Sequence, residues 1–170
     1  MADLPTLVPA RPAQAADIAA LVATVVRAEP GLDAAARALM LQHALDNLAW
    51  WQTQPEPERA ACHLLALDPA GAPVGVVLVR GHWALCSLFV APTWQGRGLG
   101  RALVRAAWSA CCGRTDRPLL RLNAAPAAQG FYRRLGFRAV RSLQALPPGF
   151  VSMGVPLTGP PPGADGVVAT

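Results

Sequence analysis

Leu85-Cys86-Ser87-Leu88-Phe89-Val90-Ala91-Pro92-Thr93-Trp94-Gln95-Gly96-Arg97-Gly98-Leu99-Gly100-Arg101-Ala102-Leu103 is the stretch whose reading decides the fold. Its first six residues form an apolar run of β type. Ala91-Pro92 ends that run, a glycine-punctuated turn follows, and the chain leaves as an amphipathic helix. A helix start carries unpaired N–H donors and the positive end of the helix dipole, so it suits an anion. Gly96, Gly98 and Gly100 present no Cβ to keep a phosphate from the backbone. Arg97 and Arg101 add positive charge. The segment reads as a pyrophosphate cradle between a strand and a helix.

Upstream, runs at 61–67, 74–80 and 83–90 are joined by Asp68-Pro69-Ala70-Gly71 and Gly81-His82. Loops this short predict an antiparallel meander. Downstream, a helix over 99–112 ends near Gly113 and a strand follows at 118–123. A short helix over 126–135 is closed by Gly136 in the left-handed conformation. Two final strands are expected at 137–146 and 150–157. At the other end, 6–11 reads as a strand whose Pro9 marks an edge or bulge. A helix over 12–27 gathers Ile18, Leu21, Val22, Val25 and Val26 on one face. Glu29-Pro30-Gly31 breaks it, and Asp33 caps a second helix to Gln52 with Leu39, Met40, Leu45 and Leu48 as its apolar set. Pro55-Glu56-Pro57-Glu58 is a loop.

Strand, helix and strand in succession across the glycine turn demand a parallel pair with a right-handed crossover. The expected architecture is therefore α/β (α+β): a mixed, mostly antiparallel sheet of about seven strands with helices on both faces. Residues 1–157 are expected to be one domain. Residues 158–170, rich in Gly and Pro, are expected to be a disordered tail.

With 170 residues the chain can bury a core, and its 53 % apolar against 15 % charged content favours a compact globular protein. No apolar run approaches the roughly 18 residues of a membrane span, and no basic region precedes an apolar core at the N-terminus. A cytoplasmic location without a membrane partner is the expectation. Cys62, Cys86, Cys111 and Cys112 show no metal-ligand spacing, so reduced thiols and no metal are expected. The net charge of +5 comes from arginine alone, since the chain has no lysine, and Ile18 is its one isoleucine. That pattern reads as a bias toward GC-rich codons. The arginines are not interleaved with aromatics as a nucleic-acid surface needs, so no nucleic-acid partner is expected.

Several readings compete for the cradle. A P-loop needs a lysine after its last glycine, and this chain has none. A dinucleotide fingerprint needs G-x-G-x-x-G after a first strand; here the spacing is G-x-G-x-G after a meander, although Asp116 stands at a suitable distance for a ribose contact. A turn without a ligand is the bland alternative. Coenzyme A is the remaining ligand. Gln95-Gly96-Arg97-Gly98-Leu99-Gly100 resembles the Q/R-x-x-G-x-G/A motif of the GNAT superfamily of N-acetyltransferases. Leu88-Phe89-Val90-Ala91-Pro92 resembles the end of that family's fourth strand. The stretch from Asn123 to Phe137, ending Phe131-Tyr132-Arg133-Arg134-Leu135-Gly136-Phe137, resembles its second signature. The resemblance covers about residues 6 to 157.

The resemblance implies a fold in which the fourth and fifth strands splay, with acetyl-CoA as cosubstrate and its pantetheine arm in the gap. Backbone groups of Leu88, Phe89 and Val90 would hold the arm and polarise the thioester. The N–H groups of Gln95, Gly96, Arg97, Gly98, Leu99, Gly100 and Arg101 would take the pyrophosphate. Tyr132 would be the general acid toward the CoA thiolate, against a plain core role. Asn123 would bond the arm, against a strand-end cap, and Arg133 and Arg134 would reach nucleotide phosphates or stay solvated. Some relatives carry a glutamate base where this chain has Cys86, beside Ser87. The base is thus left among a water, His82 and Glu29, with His43 and His63 weaker. Glu29 and Asp33 stand where relatives contact acceptors. Trp50, Trp51, Trp83 and Phe150 are candidates to line an acceptor pocket. The implied activity is direct transfer of acetyl to a primary amine of a small molecule or peptide; the alternative is a CoA-binding sensor without catalysis. A homodimer is compatible with either.

Overall fold

The computed structural model describes residues 4–55 and 61–164. Seven strands form one sheet: β1 (Thr6–Pro9), β2 (Ala61–Leu67), β3 (Pro73–Arg80), β4 (Ala84–Val90), β5 (Leu119–Ala124), β6 (Arg138–Ala139) and β7 (Val151–Pro156). Their order in space is β1-β2-β3-β4-β5-β7-β6, antiparallel throughout except β4–β5, which is parallel. Four helices pack on it: α1 (Ala15–Ala28), α2 (Ala34–Gln52), α3 (Leu99–Cys111) and α4 (Gln129–Arg134). The mixed sheet and its single crossover are those the sequence predicts.

Each face of the sheet has its own core. On one, α1 buries Ile18, Leu21, Val22, Val25 and Val26 with Leu65, Val76 and Leu78. On the other, α3 buries Leu99, Leu103, Val104, Ala107 and Trp108 against Ala66, Val77, Leu120 and Phe137. The close seating of α3 depends on Gly75 in β3. A Cβ there would lie 2.9 Å from Leu103 Cδ1 and 3.3 Å from Leu99 Cδ2. Among the described residues, no helix is long and apolar enough to cross a membrane.

The chain meets its turns as the sequence asks. Asp33 caps α2 by accepting the Ala36 N–H at 2.7 Å. Gly81 and His82 both have left-handed φ (59° and 60°), closing the hairpin between β3 and β4 whose loop runs from Gly81 to Trp83. At the end of α4, Gly136 (φ 93°) donates to Arg133 O and Phe137 to Tyr132 O, a Schellman closure.

Four expectations need correction. Of the apolar set expected on α2, Leu48 is buried and Met40 and Leu45 are half-buried, but Leu39 is exposed, and Ala44 and Trp51 are buried beside Leu48. The first helix is preceded by a 3-10 turn at Pro12–Gln14 and starts at Ala15. The strand expected at 137–146 is the two-residue β6. After Val140 N–H reaches Ser152 O, the chain leaves the β7 edge and crosses the sheet, with Leu143 finding no core. The tail expected from 158 is held through Ala164. Gly163 N–H donates to the carbonyl of Leu135, one of those a helix end leaves unsatisfied, and Arg101 donates to Gly163 O at 2.9 Å. Residues 56–58 of the expected loop and 165–170 of the tail lie outside the described residues.

Candidate active site

The turn after β4 is built almost wholly from backbone. Ala91 N–H bonds Val74 O, and a 3-10 turn at Pro92–Trp94 lifts the chain off the sheet. Gln95 folds its amide back onto Val90 O at 3.0 Å, so its side chain braces the turn. Gly96 and Gly98 have φ of 72° and 83°, conformations that penalise any Cβ, and a Cβ on either would meet nothing within 4 Å. Gly98 is the N-cap of α3 and no side chain caps that helix. The first-turn N–H groups of Leu99, Gly100 and Arg101 therefore stand at an open helix start with the dipole behind them. The Leu99 side chain is core. Arg97 lies over Trp94, 5.2 Å from the ring centroid. Gly100 departs from the expectation: it is helical, and a Cβ there would meet the Phe131 ring at 3.3 Å. Its smallness serves the approach of α4.

Beside the turn, the sheet opens. β4 and β5 share one pair, Ala84↔Arg121, with Arg121 N–H donating to Trp83 O at 2.8 Å. Beyond it, β4 pairs only with β3, and β5 only with β7. A wedge opens from the Ala84/Arg121 vertex toward Val90 and the α3 N-terminus. Strand backbones alternate their polar groups between two edges. The β4 edge that faces the wedge thus offers N–H and C=O groups without strand partners. Within it, Leu78 pairs Ser87 while Val79 pairs Leu85, so Cys86 is the extra residue of a bulge. Its thiol donates to Ala84 O at 3.2 Å, and burial pushes its pKa up, which keeps it neutral.

Residues 39–146, well over half of the chain, match the family model described as an acetyltransferase (GNAT) domain. The chain belongs to the GNAT acetyltransferase family. A mycothiol acetyltransferase of Acidothermus cellulolyticus is 41 % identical over 101 residues, which are 57 % of this chain and 26 % of that protein. The chain thus spans about a quarter of that relative's length. The crystal structure of a GCN5-related N-acetyltransferase from Rhodopseudomonas palustris superposes with a TM-score of 0.70 at 22 % identity, covering 91 % of this chain and 94 % of that one. The PaiA N-acetyltransferase of Thermoplasma acidophilum, solved in complex with coenzyme A, gives 0.67 at 11 % identity, over 89 % and 98 %. At these identities the two structures speak for the fold.

In this GNAT domain, Tyr132 is buried between Phe131 and Phe137, edge-on to both at 5.0 and 5.4 Å between centroids. Burial pushes its pKa well above the ordinary phenol value, so it stays protonated. Asn123 is exposed on β5, on the face opposite α3 and across from Ser152. Arg133 is exposed and donates to Gln129 of its own helix at 3.2 Å.

The other candidates lie outside β4 and β5. His82 sits in the hairpin turn before the vertex, with its pKa lowered by burial and then by Arg114. His43 is exposed on α2. His63 is buried edge-on to Trp51 at 4.4 Å and, with Ser87, lines a small void under α1 and α2. Asp33 is spent on its cap, and Glu29 stands in the connection between α1 and α2, where its main-chain carbonyl accepts from Arg37. Trp51 is core, and the half-buried Trp50 and Trp83 stack under Arg80 at 4.0 Å and Arg117 at 4.9 Å. Phe150 remains next to β7, half-buried. Among the described residues no His, Cys, Asp and Glu side chains group to hold a metal ion.

Two residues missed by sequence reasoning shape the site. Gly75 lets α3 close on β3. Arg121, at an outward position of the alternating run Leu120 to Ala124, donates to the Arg141 carbonyl and to Ser152 Oγ. No local signal marks it, because an arginine at an outward strand position reads as a solvated residue.

Proposed function

We propose that this domain transfers acetyl from acetyl-CoA directly to a primary amine of a small molecule or peptide. The observation that carries the reading is the wedge between β4 and β5, which runs from Ala84/Arg121 to the uncapped start of α3. The open space at Gly96 and Gly98 fits a pyrophosphate on the N–H groups of residues 95–101. The wedge has the extended shape that a pantetheine arm needs. An N–H of Leu88 or Val90 aimed at the thioester oxygen stabilises the oxyanion as the amine nitrogen bonds to carbon, an effect worth about 3 kcal/mol. As the C–S bond breaks, the Tyr132 hydroxyl gives its proton to the departing thiolate; its raised pKa keeps that proton in place until then. Holding both reactants in one wedge removes much of the entropic barrier to their encounter. The amine must arrive neutral, although alkylammonium groups have pKa values near 10. A water held by wedge carbonyls is the base in this reading, because the Cys86 thiol is pushed up and already donates to Ala84 O.

That same Cys86 favours a second reading, a domain that binds CoA without catalysis. Thiol release from acetyl-CoA over a panel of amines separates the two. Release with any amine supports transfer; CoA binding with no release on any of them supports the sensor. Stabilisation by NAD but not by CoA sinks both, since a ligand at a hundredfold its Kd adds about 2.7 kcal/mol to unfolding.

A further inference from the structure

On β5, Leu120, Leu122 and Ala124 are buried in the α3-side core. Strand alternation therefore sends Arg121 and Asn123 to the opposite face. That face is covered by α1 and α2 only over the other half of the sheet, β1 to β4. Over β5 and β7 it is crossed instead by the chain after β6, which Arg121 holds through the Arg141 carbonyl. Gln129 ties the far end of that loop by donating to Gly149 O at 2.8 Å.

Arg121 is half-buried at the vertex of the wedge. Its guanidinium leans along β5 to Ser152 Oγ at 3.3 Å, and Ser152 is the cross-strand partner of Asn123. Both of its partners are neutral oxygens. Among the described residues no carboxylate pairs with it. A guanidinium is charged at every accessible pH, so the full positive charge stands in a partly desolvated groove with its orientation fixed and its counter-charge missing. Both bonds use one terminal nitrogen, Nη2. The rest of the planar fork matches two oxygens of a carboxylate or phosphate. Arg121 and Asn123 are one strand repeat apart, about 6.6 Å, so a group on Arg121 has its next atoms at the open part of the wedge.

We propose that Arg121 is a specificity-determining residue which selects acceptors carrying an oxyanion, carboxylate or phosphate, a few bonds from the amine. The proposal rests on the acetyl-transfer reading above. Arg121 binds the anion, the neighbouring Asn123 side chain faces the body of the acceptor, and the amine points along the wedge toward the thioester. A strut for a loop needs only neutral bonds, such as Arg37 makes through Nε and Nη2 to the carbonyls of Val26 and Glu29. At Arg121 both bonds fall on Nη2, and the rest of the fork is left over at the vertex of the wedge.

Two matched pairs of amines test it: γ-aminobutyrate against γ-aminobutyramide, and phosphoethanolamine against ethanolamine, each with acetyl-CoA and thiol release as readout. The anionic member of at least one pair is expected to have a kcat/KM about tenfold higher or more, chiefly through KM, the size of a charge-assisted hydrogen bond. The pair that shows it separates carboxylate from phosphate. In Arg121→Gln that ratio is expected to fall toward one, with Arg121→Lys in between because it keeps charge without the fork. Equal kcat/KM within both pairs of the parent protein overturns the proposal, and needs no variant to fold. So does an Arg121→Gln variant that slows both members alike, the behaviour of a strut. CoA binding with no amine-dependent thiol release from any amine overturns acetyl transfer itself, and with it this proposal.

Discussion

The two walls of the wedge are made in different ways. The β4 wall and the start of α3 act through backbone, fixed by left-handed glycines and an uncapped helix end. The β5 wall acts through side chains: Arg121, Asn123 and Ser152, with the loop after β6 laid across them. A backbone site depends on conformation and tolerates most neighbours. A side-chain site depends on which residue stands at each register position. The first suits a cosubstrate shared by a whole family, and the second suits an acceptor that differs among its members.

The largest test of the backbone wall is Gly75→Leu. A Cβ at this position already lies within 2.9 Å of Leu103 Cδ1, and Leu103 is fully buried. Overpacking of this kind costs about 1–3 kcal/mol, and leucine adds further atoms, so a loss near the top of that range is expected in urea unfolding. Because α3 carries the cradle, CoA affinity falls as well. The counterpart on the other wall, Ser152→Ala, removes one hydroxyl from Arg121 and costs about 1 kcal/mol. If the two losses were equal, the contrast between walls would not hold.

Tyr132→Phe sharpens the contrast at the chemical step. It keeps the ring that packs against Phe131 and Phe137 and removes only the proton donor. An expected fall in kcat of about a hundredfold, with CoA binding retained, marks a side chain that acts on the cosubstrate side. Because burial holds its pKa above the ordinary value, the parent enzyme's kcat should show no loss of this acid as pH rises to about 10. A descending limb well below that pH places the titration on another group. Unchanged kcat in the variant returns Tyr132 to the core.

The difference between the walls also governs what could be read from the chain. Gly96-Arg97-Gly98 after an apolar run announces a turn of unusual φ, and Asp33, Gly81-His82 and Gly136 announce their caps and turn, because each follows from local geometry. The apolar face of α1 was legible for the same reason. Arg121 was not, since its meaning lies in having Ser152 and Arg141 as neighbours, 31 and 20 residues away. The part Gly100 plays in packing was not legible either, because Phe131 reaches it only through the tertiary fold. The run 137–146 has strand-like residues yet makes one short pairing, for nothing in the sequence says that the chain must cross the sheet there. The tryptophan contacts were not legible for the same reason: Trp50 lies under Arg80 and Trp83 under Arg117, pairs no spacing predicts.

Gly98→Ala is the next smaller effect. At φ 83° a Cβ meets no atom, so the cost is conformational, about 1–2 kcal/mol, and it falls on the N-cap of α3. Stability and CoA affinity are expected to drop together. Gln95→Ala, which loses one bond to Val90 O, should cost about 1 kcal/mol or less. Should Gln95 prove the costlier of the two, the cradle is held by its side chain and the backbone account of this wall fails.

The smallest effect concerns Arg101, which the resemblance assigns to the pyrophosphate and the structure gives to Gly163 O. One guanidinium can lean toward the cradle or toward the tail, and Gly163→Ala biases that choice. A Cβ on Gly163 would lie 2.7 Å from Arg101 Nε and 3.0 Å from Leu135 Cδ2, at a φ of 67° that alanine rarely adopts. The tail therefore lifts, the Arg101–Gly163 and Gly163–Leu135 bonds break, and stability changes by under about 1 kcal/mol because both bonds are peripheral. Arg101 is left with its full charge beside the helix start. If it belongs to the cosubstrate wall, CoA should bind about two- to threefold tighter in titration calorimetry, the worth of one exposed ionic contact. An affinity that stays the same after the tail has lifted removes Arg101 from that wall and leaves it built from backbone alone.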